Sequence, residues 1–186
     1  MKAAMAAAAA AALALALAVT ACGGSSGRPA APSGVLPAAA VAGLAVATQP
    51  LTSQDVQKDS TAPDLATRLA GWGYVGGWQR TFQGESRRLT LVVSRSLQFR
   101  TSPGAARFVA YMHQKVGSFY PFAVTSRLSM PRGSGWVIRP PLCGCHMATP
   151  LLVGVTARGH KVSWLEINGP QASTRLLTQL LARTPA

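Results

Sequence analysis

Acidic residues are scarce in this chain: 5 Asp and Glu stand against 18 Lys and Arg in 186 residues, a formal net charge of +13. A paired-carboxylate mechanism would have to use Glu85 and Glu166, and Glu85 falls in a predicted hairpin turn. Histidine is also rare, with 3 in the chain. His113 borders the apolar stripe of a predicted helix and His160 sits in a predicted turn. The chain has no Gly-x-Ser-x-Gly elbow and no His-Glu-x-x-His pair. It also lacks a phosphate-binding glycine loop and any nucleic-acid-binding motif. These absences point away from an enzyme and away from nucleic acid. No catalytic residue and no resident cofactor are expected.

Long apolar runs are missing apart from Ala3 to Ala18, which is Ala and Leu with one Met. That run is shorter than the ~20 residues a membrane span needs, and Ala is only weakly apolar. Lys2 precedes it, and the small or short residues Val19-Thr20-Ala21 close it. A charged start, an apolar middle and a small-residue end describe a secretory signal. Gly-Gly-Ser-Ser-Gly follows Cys22, and an Ala/Pro/Gly-rich stretch continues to Pro50. The expected organisation is a signal over 1–21, a tether over 22–50, and a single domain over 51–186.

Val19-Thr20-Ala21-Cys22 resembles the lipobox of bacterial lipoproteins. In that family a lipid is attached to the Cys thiol and the chain is cut just before it. The resemblance implies that Cys22 is the acylated first residue of an extracytoplasmic protein anchored to the membrane. The lipobox, the tether and a small α+β domain together resemble small lipoproteins of high-GC Gram-positive bacteria. That likeness implies no activity.

Within the domain, Ser60-Thr61-Ala62-Pro63-Asp64 is a helix start, with Leu65 and Leu69 on one face. Tyr74 to Gln83 and Arg88 to Arg100 read as a hairpin. In its second strand Leu89, Leu91, Val93, Leu97 and Phe99 share one face, while Thr90, Ser94, Ser96 and Gln98 share the other. Thr101-Ser102-Pro103 caps a helix with a stripe of Ala105, Phe108, Val109, Met112 and Val116. Val124 to Leu128 and Trp136 to Arg139 are short strands. Leu151 to Ala157 and Lys161 to Asn168 form a second hairpin. A last helix buries Leu176, Leu177, Leu180 and Leu181. Hairpins and helices in this order predict an α+β fold: an antiparallel sheet built from two hairpins, with helices packed on one face.

Cys143-Gly144-Cys145-His146 is the one cluster with chemical character. If Cys22 carries lipid, Cys143 and Cys145 are an even pair, consistent with a local disulfide outside the cytoplasm. The alternative is a metal- or redox-handling segment using Cys143, Cys145 and His146, although a closed zinc site needs a fourth ligand. Trp72, Trp78, Trp136 and Trp164 read as core, with a lipid or glycan groove as the other reading. Arg95 interrupts an apolar strand face, and Glu166 shares a face with Val162 and Trp164. A charge facing a core is costly unless paired. Either the two pair across the sheet, with Arg80 as the substitute, or each reaches water alone. The basic balance predicts anionic partners, lipid head groups or wall polymers. A non-catalytic binding or scaffolding domain is the function expected.

Overall fold

The computed structural model describes residues 32–85, 87–130, 134–141 and 149–185. The signal segment, Cys22, Cys143, Cys145 and His146 all lie outside the described residues.

The strands β1 (Ala45–Leu51), β2 (Tyr74–Gln83), β3 (Leu91–Phe99), β4 (Val124–Ser129), β5 (Ser134–Arg139), β6 (Leu151–Arg158) and β7 (Lys161–Asn168) form one 7-stranded antiparallel sheet in the order β1-β2-β3-β7-β6-β5-β4. The helices are α1 (Ser53–Lys58), α2 (Leu65–Gly71), α3 (Ser102–Gln114), α4 (Val116–Phe119) and α5 (Thr174–Ala182). The class is therefore α+β with an antiparallel sheet. The sheet is larger than two hairpins: β1 joins one edge, and β5 and β4 extend the other.

Local chemistry places the helices. The Thr52 hydroxyl and the Asp55 carboxylate satisfy each other's backbone N–H groups at the start of α1, a reciprocal capping box. The Thr101 hydroxyl accepts from Gly104 N–H at 3.2 Å, with Pro103 just inside α3. Ser173 caps α5 through Leu176 N–H. Gly73, with φ +79, turns the chain out of α2 into β2. Farther along β2, a Cβ on Gly77 would lie 2.4 Å from the Ser96 carbonyl oxygen, so the β2–β3 pair closes only with glycine there.

Each face of the sheet carries its own core. On the first face Leu97, Phe99, Val153, Val155, Val162 and Trp164 pack under Val56, Leu65, Leu69, Phe108, Met112 and Phe119 from α1 to α4. On the second face Phe82, Val92, Leu152, Leu165 and Ile167 pack under Leu177, Leu180 and Leu181 of α5. Helices on one face thus describes α1 to α4, while α5 covers the opposite side. The reason lies in β6 and β7: Leu151-Leu152-Val153 and Trp164-Leu165 are apolar at consecutive positions, so both faces must be buried.

The expected tether over 22–50 needs correction. Val35 and Leu36 are fully or nearly buried, Leu44 is buried, and β1 pairs with β2 along its whole length. Leu36 N–H donates to Ser94 Oγ at 2.9 Å, and its carbonyl accepts from Arg80 at 2.6 Å. Ser94 and Ser96, read from sequence as a polar face, are buried under this segment. The domain therefore begins well before residue 51. Among the described residues no helix is long and apolar enough to cross a membrane.

Candidate functional site

Antiparallel register brings the interrupting charges together. Arg95 lies opposite Gln79 on β2 and Trp164 on β7, and Glu166 lies opposite Val93. The Arg95 guanidinium donates to Gln79 Oε1 through Nε at 2.8 Å, to Glu166 Oε1 through one terminal nitrogen, and to Asp59 Oδ1 through the other at 3.2 Å. It also sits over the Trp164 indole, 4.4 Å from the ring centroid. Tyr120 closes the cluster: its hydroxyl donates to Glu166 Oε1 at 2.8 Å and accepts from Trp164 Nε1 at 2.9 Å. Arg95 is buried and Glu166 nearly so.

Electrostatics follow the geometry. Burial works against the Arg95 charge, but Glu166 and then Asp59 outweigh it and hold the guanidinium above its ordinary value. Burial raises the Asp59 carboxyl, with Arg95 opposing and Glu166 adding to the rise. Burial and then the neighbouring Glu166 carboxylate push the Tyr120 phenol well up. Every polar arm of Arg95 is engaged within the protein, so the cluster ties the sheet to the α1–α2 connection and to the end of α4.

Sequence reasoning left open whether Arg95 pairs with Glu166 or each reaches water alone, and it missed Asp59, Gln79 and Tyr120. Asp59 lies between helices, where no periodicity marks a side chain's direction. Tyr120 stands in an aromatic connector. Arg80, the substitute partner, projects from the other face to Thr48 Oγ1 at 2.9 Å and the Leu36 carbonyl. His113 stacks on Trp136 with ring centroids 3.4 Å apart, and His160 is an exposed turn residue. Trp164 is buried in the core, and Trp72 packs against Tyr111. Among the described residues no three His, Cys, Asp or Glu side chains gather as metal ligands would.

The two faces differ in charge. Of the 5 acids, Asp55, Asp59, Asp64 and Glu166 lie on the first side, paired with Lys58, Arg95 and Arg68, and Glu85 sits in the β2–β3 turn. The second side carries no carboxylate among the described residues. It presents Arg80, Arg139, Arg175 and Arg183. Arg139 bridges Ser126 Oγ at 2.7 Å and Thr174 Oγ1 at 3.1 Å, and Arg183 donates to the Ala40 carbonyl at 3.1 Å. Arg175 and Arg183 are exposed on the outer side of α5. Beside them, Leu89, Leu176, Leu180 and Val41 line a cleft of about 250 Å³.

No protein-family model matches this sequence, and no curated protein matches it. Among solved structures, the chain is similar to the extracellular domain of PknH from Mycobacterium tuberculosis, with 15% identity and a TM-score of 0.48 over 75% of this chain and 80% of that one.

Proposed function

We propose that this protein is an extracytoplasmic, lipid-anchored, non-catalytic domain that docks its α5 side on an anionic component of the cell envelope. The observation that supports this is the second side, which carries no Asp or Glu side chain among the described residues and where Arg139, Arg175 and Arg183 gather on and around α5. A field of one sign attracts the opposite charge, and each Arg near an anionic membrane surface adds roughly 1 kcal/mol. The chain enters the fold on that same side, where Leu36 is pinned to Ser94. With Cys22 as the acylated residue, the stretch from Cys22 to Pro32 reaches at most about 35 Å. The buried Arg95 cluster serves as structure in this reading, since its hydrogen-bonding groups are already engaged.

The test is arginine-selective modification of the purified lipidated protein in bilayer nanodiscs, read residue by residue by mass spectrometry. Arg107, exposed on α3 at the opposite side, is the internal reference. Arg175 and Arg183 should react more slowly than Arg107 when the disc contains phosphatidylglycerol, or when poly(glycerol phosphate) is added. The protection should fade as salt shortens the screening length. Equal reactivity of all three residues with both polyanions would reject the proposal.

A further inference from the structure

The loop between α4 and β4 carries the most exposed large apolar side chain of the described residues. Phe122 is 90% exposed and Val124, two residues on, is 64% exposed. Phe122 also has φ +59, a left-handed conformation that bulky L-residues avoid. Such a backbone persists only when its surroundings hold it. Here they do. On one side Tyr120 is fixed by its bonds to Glu166 and Trp164, and Ala123 N–H returns to the Tyr120 carbonyl at 3.2 Å. On the other side Val124 is fixed in the β4–β5 ladder opposite Arg139. The buried charge cluster therefore acts as the footing of a projecting aromatic tip.

The tip adjoins the cationic side. Val124 has the same strand parity as Leu128, which packs in the second-face core, and so points to that side. Arg139, opposite Val124, reaches the first residue of α5, next to Arg175. Exposed apolar side chains beside guanidinium groups match the boundary of a bilayer, where apolar groups enter the acyl region and cations remain among the head groups. A soluble polyanion satisfies the arginines but leaves Phe122 and Val124 in water.

We infer that Phe122, supported by Val124, is a membrane-inserting anchor, and that the surface this protein docks on is an anionic lipid bilayer. The inference rests on the docking of the α5 side proposed above and names the partner for it.

Phe122→Trp in the lipidated protein, placed in phosphatidylglycerol vesicles with brominated acyl chains, tests it. The signal of the added indole is obtained by subtracting the parent, which contains 4 native tryptophans. The expected result is blue-shifted emission that the brominated chains quench, and loss of both effects in phosphatidylcholine. Phe122→Ala should lower the protection of Arg175 and Arg183 in phosphatidylglycerol about tenfold, the effect of withdrawing part of a Phe side chain from an apolar phase. If the arginines stay protected while the indole at 122 remains hydrated and unquenched, the anchor is wrong and the docked side stands. If the arginines are not protected either, both readings fall. Self-association abolished by Phe122→Ala, with no quenching in vesicles, would assign the tip to a second copy of this chain and overturn the inference.

Discussion

Arg95 on β3 and Glu166 on β7 meet diagonally on one face of the sheet: Arg95 stands opposite Trp164, and Glu166 stands two residues further along β7. Their contact is closed above by Tyr120 and flanked by Asp59 and Gln79. Removing one partner leaves the other charged group short of compensation in a buried place. Glu166→Ala is therefore expected to destabilise the fold by roughly 3–5 kcal/mol. Arg95→Met combined with Glu166→Leu should recover much of that loss, because two apolar groups need no partner. Asp59, left behind, is partly exposed and can reach water. Chemical denaturation of Arg95→Met, Glu166→Leu and the double variant, beside Glu166→Ala, checks this; additive losses would mean that the pair is not coupled.

Asp59 behaves differently from Glu166 in the same cluster. Its carboxyl is raised above the ordinary 3.8 by burial, with Arg95 pulling the other way and Glu166 adding to the rise. The folded state then holds this proton more tightly than the unfolded chain does. Its contribution to stability is largest at low pH and is lost as pH rises from the ordinary carboxylate value through the raised folded one. Asp59→Asn removes that dependence. In urea melts taken between about pH 3 and pH 7, the stability of the parent relative to the variant should decline with rising pH. A parent that gains on the variant over this window would reverse the sign and place Asp59 as a well-compensated ion.

Much of the sheet was legible because its side chains alternate. Tyr74–Gln83 stands as read, as do the hairpin β6–β7 and the Pro-marked start of α3. Parity and the shortage of acids made the Arg95–Glu166 contact one of two readings, the other being that each side chain reaches water alone. The first strand was not legible. Ala-Val-Ala-Thr-Gln-Pro-Leu is exposed at all but its last position, so neither alternation nor bulk marks it, and only its pairing with β2 makes it a strand. The cationic second side was hidden for another reason. Arg139, Arg175 and Arg183 are singly spaced in the sequence, and only the crossing of α5 over β6 and β7 gathers them. Phe122 stands among several aromatics in the connector Phe119-Tyr120-Pro121-Phe122, and its exposure is a matter of backbone conformation that composition does not encode.

The chain has 3 tyrosines, and all are held protonated beyond their ordinary value. Burial is the leading cause for Tyr74, Tyr111 and Tyr120, joined by Asp55, Asp64 and Glu166 respectively. Raised phenol values mean that the folded state keeps protons that the unfolded chain releases. Stability therefore falls as pH rises above the ordinary 10.0. Phenolate absorbance should stay low at that pH and then rise together with loss of secondary structure by circular dichroism. Smooth titration of all three at their ordinary value, with the fold intact, would contradict the burial seen here.

The segment before β1 is the last and most direct case, because sequence and structure disagree over it. Leu36 is completely buried in the second-face core, among Leu44, Phe82, Leu165 and the leucines of α5. Truncating such a leucine costs the transfer of its methyl groups and the cavity left behind, so Leu36→Ala should destabilise by about 2–5 kcal/mol. Ser94→Ala acts on the same contact through hydrogen bonding. It leaves the buried Leu36 N–H without its acceptor, at a cost of roughly 1–3 kcal/mol. A flexible tether would show neither loss. Denaturant midpoints of both variants, with proteolysis mapped across 32–44, separate the two cases. Unchanged midpoints and ready cleavage in the parent would return this stretch to the tether. The expected result is lowered midpoints, a parent resistant across the segment, and cleavage that appears first in Leu36→Ala.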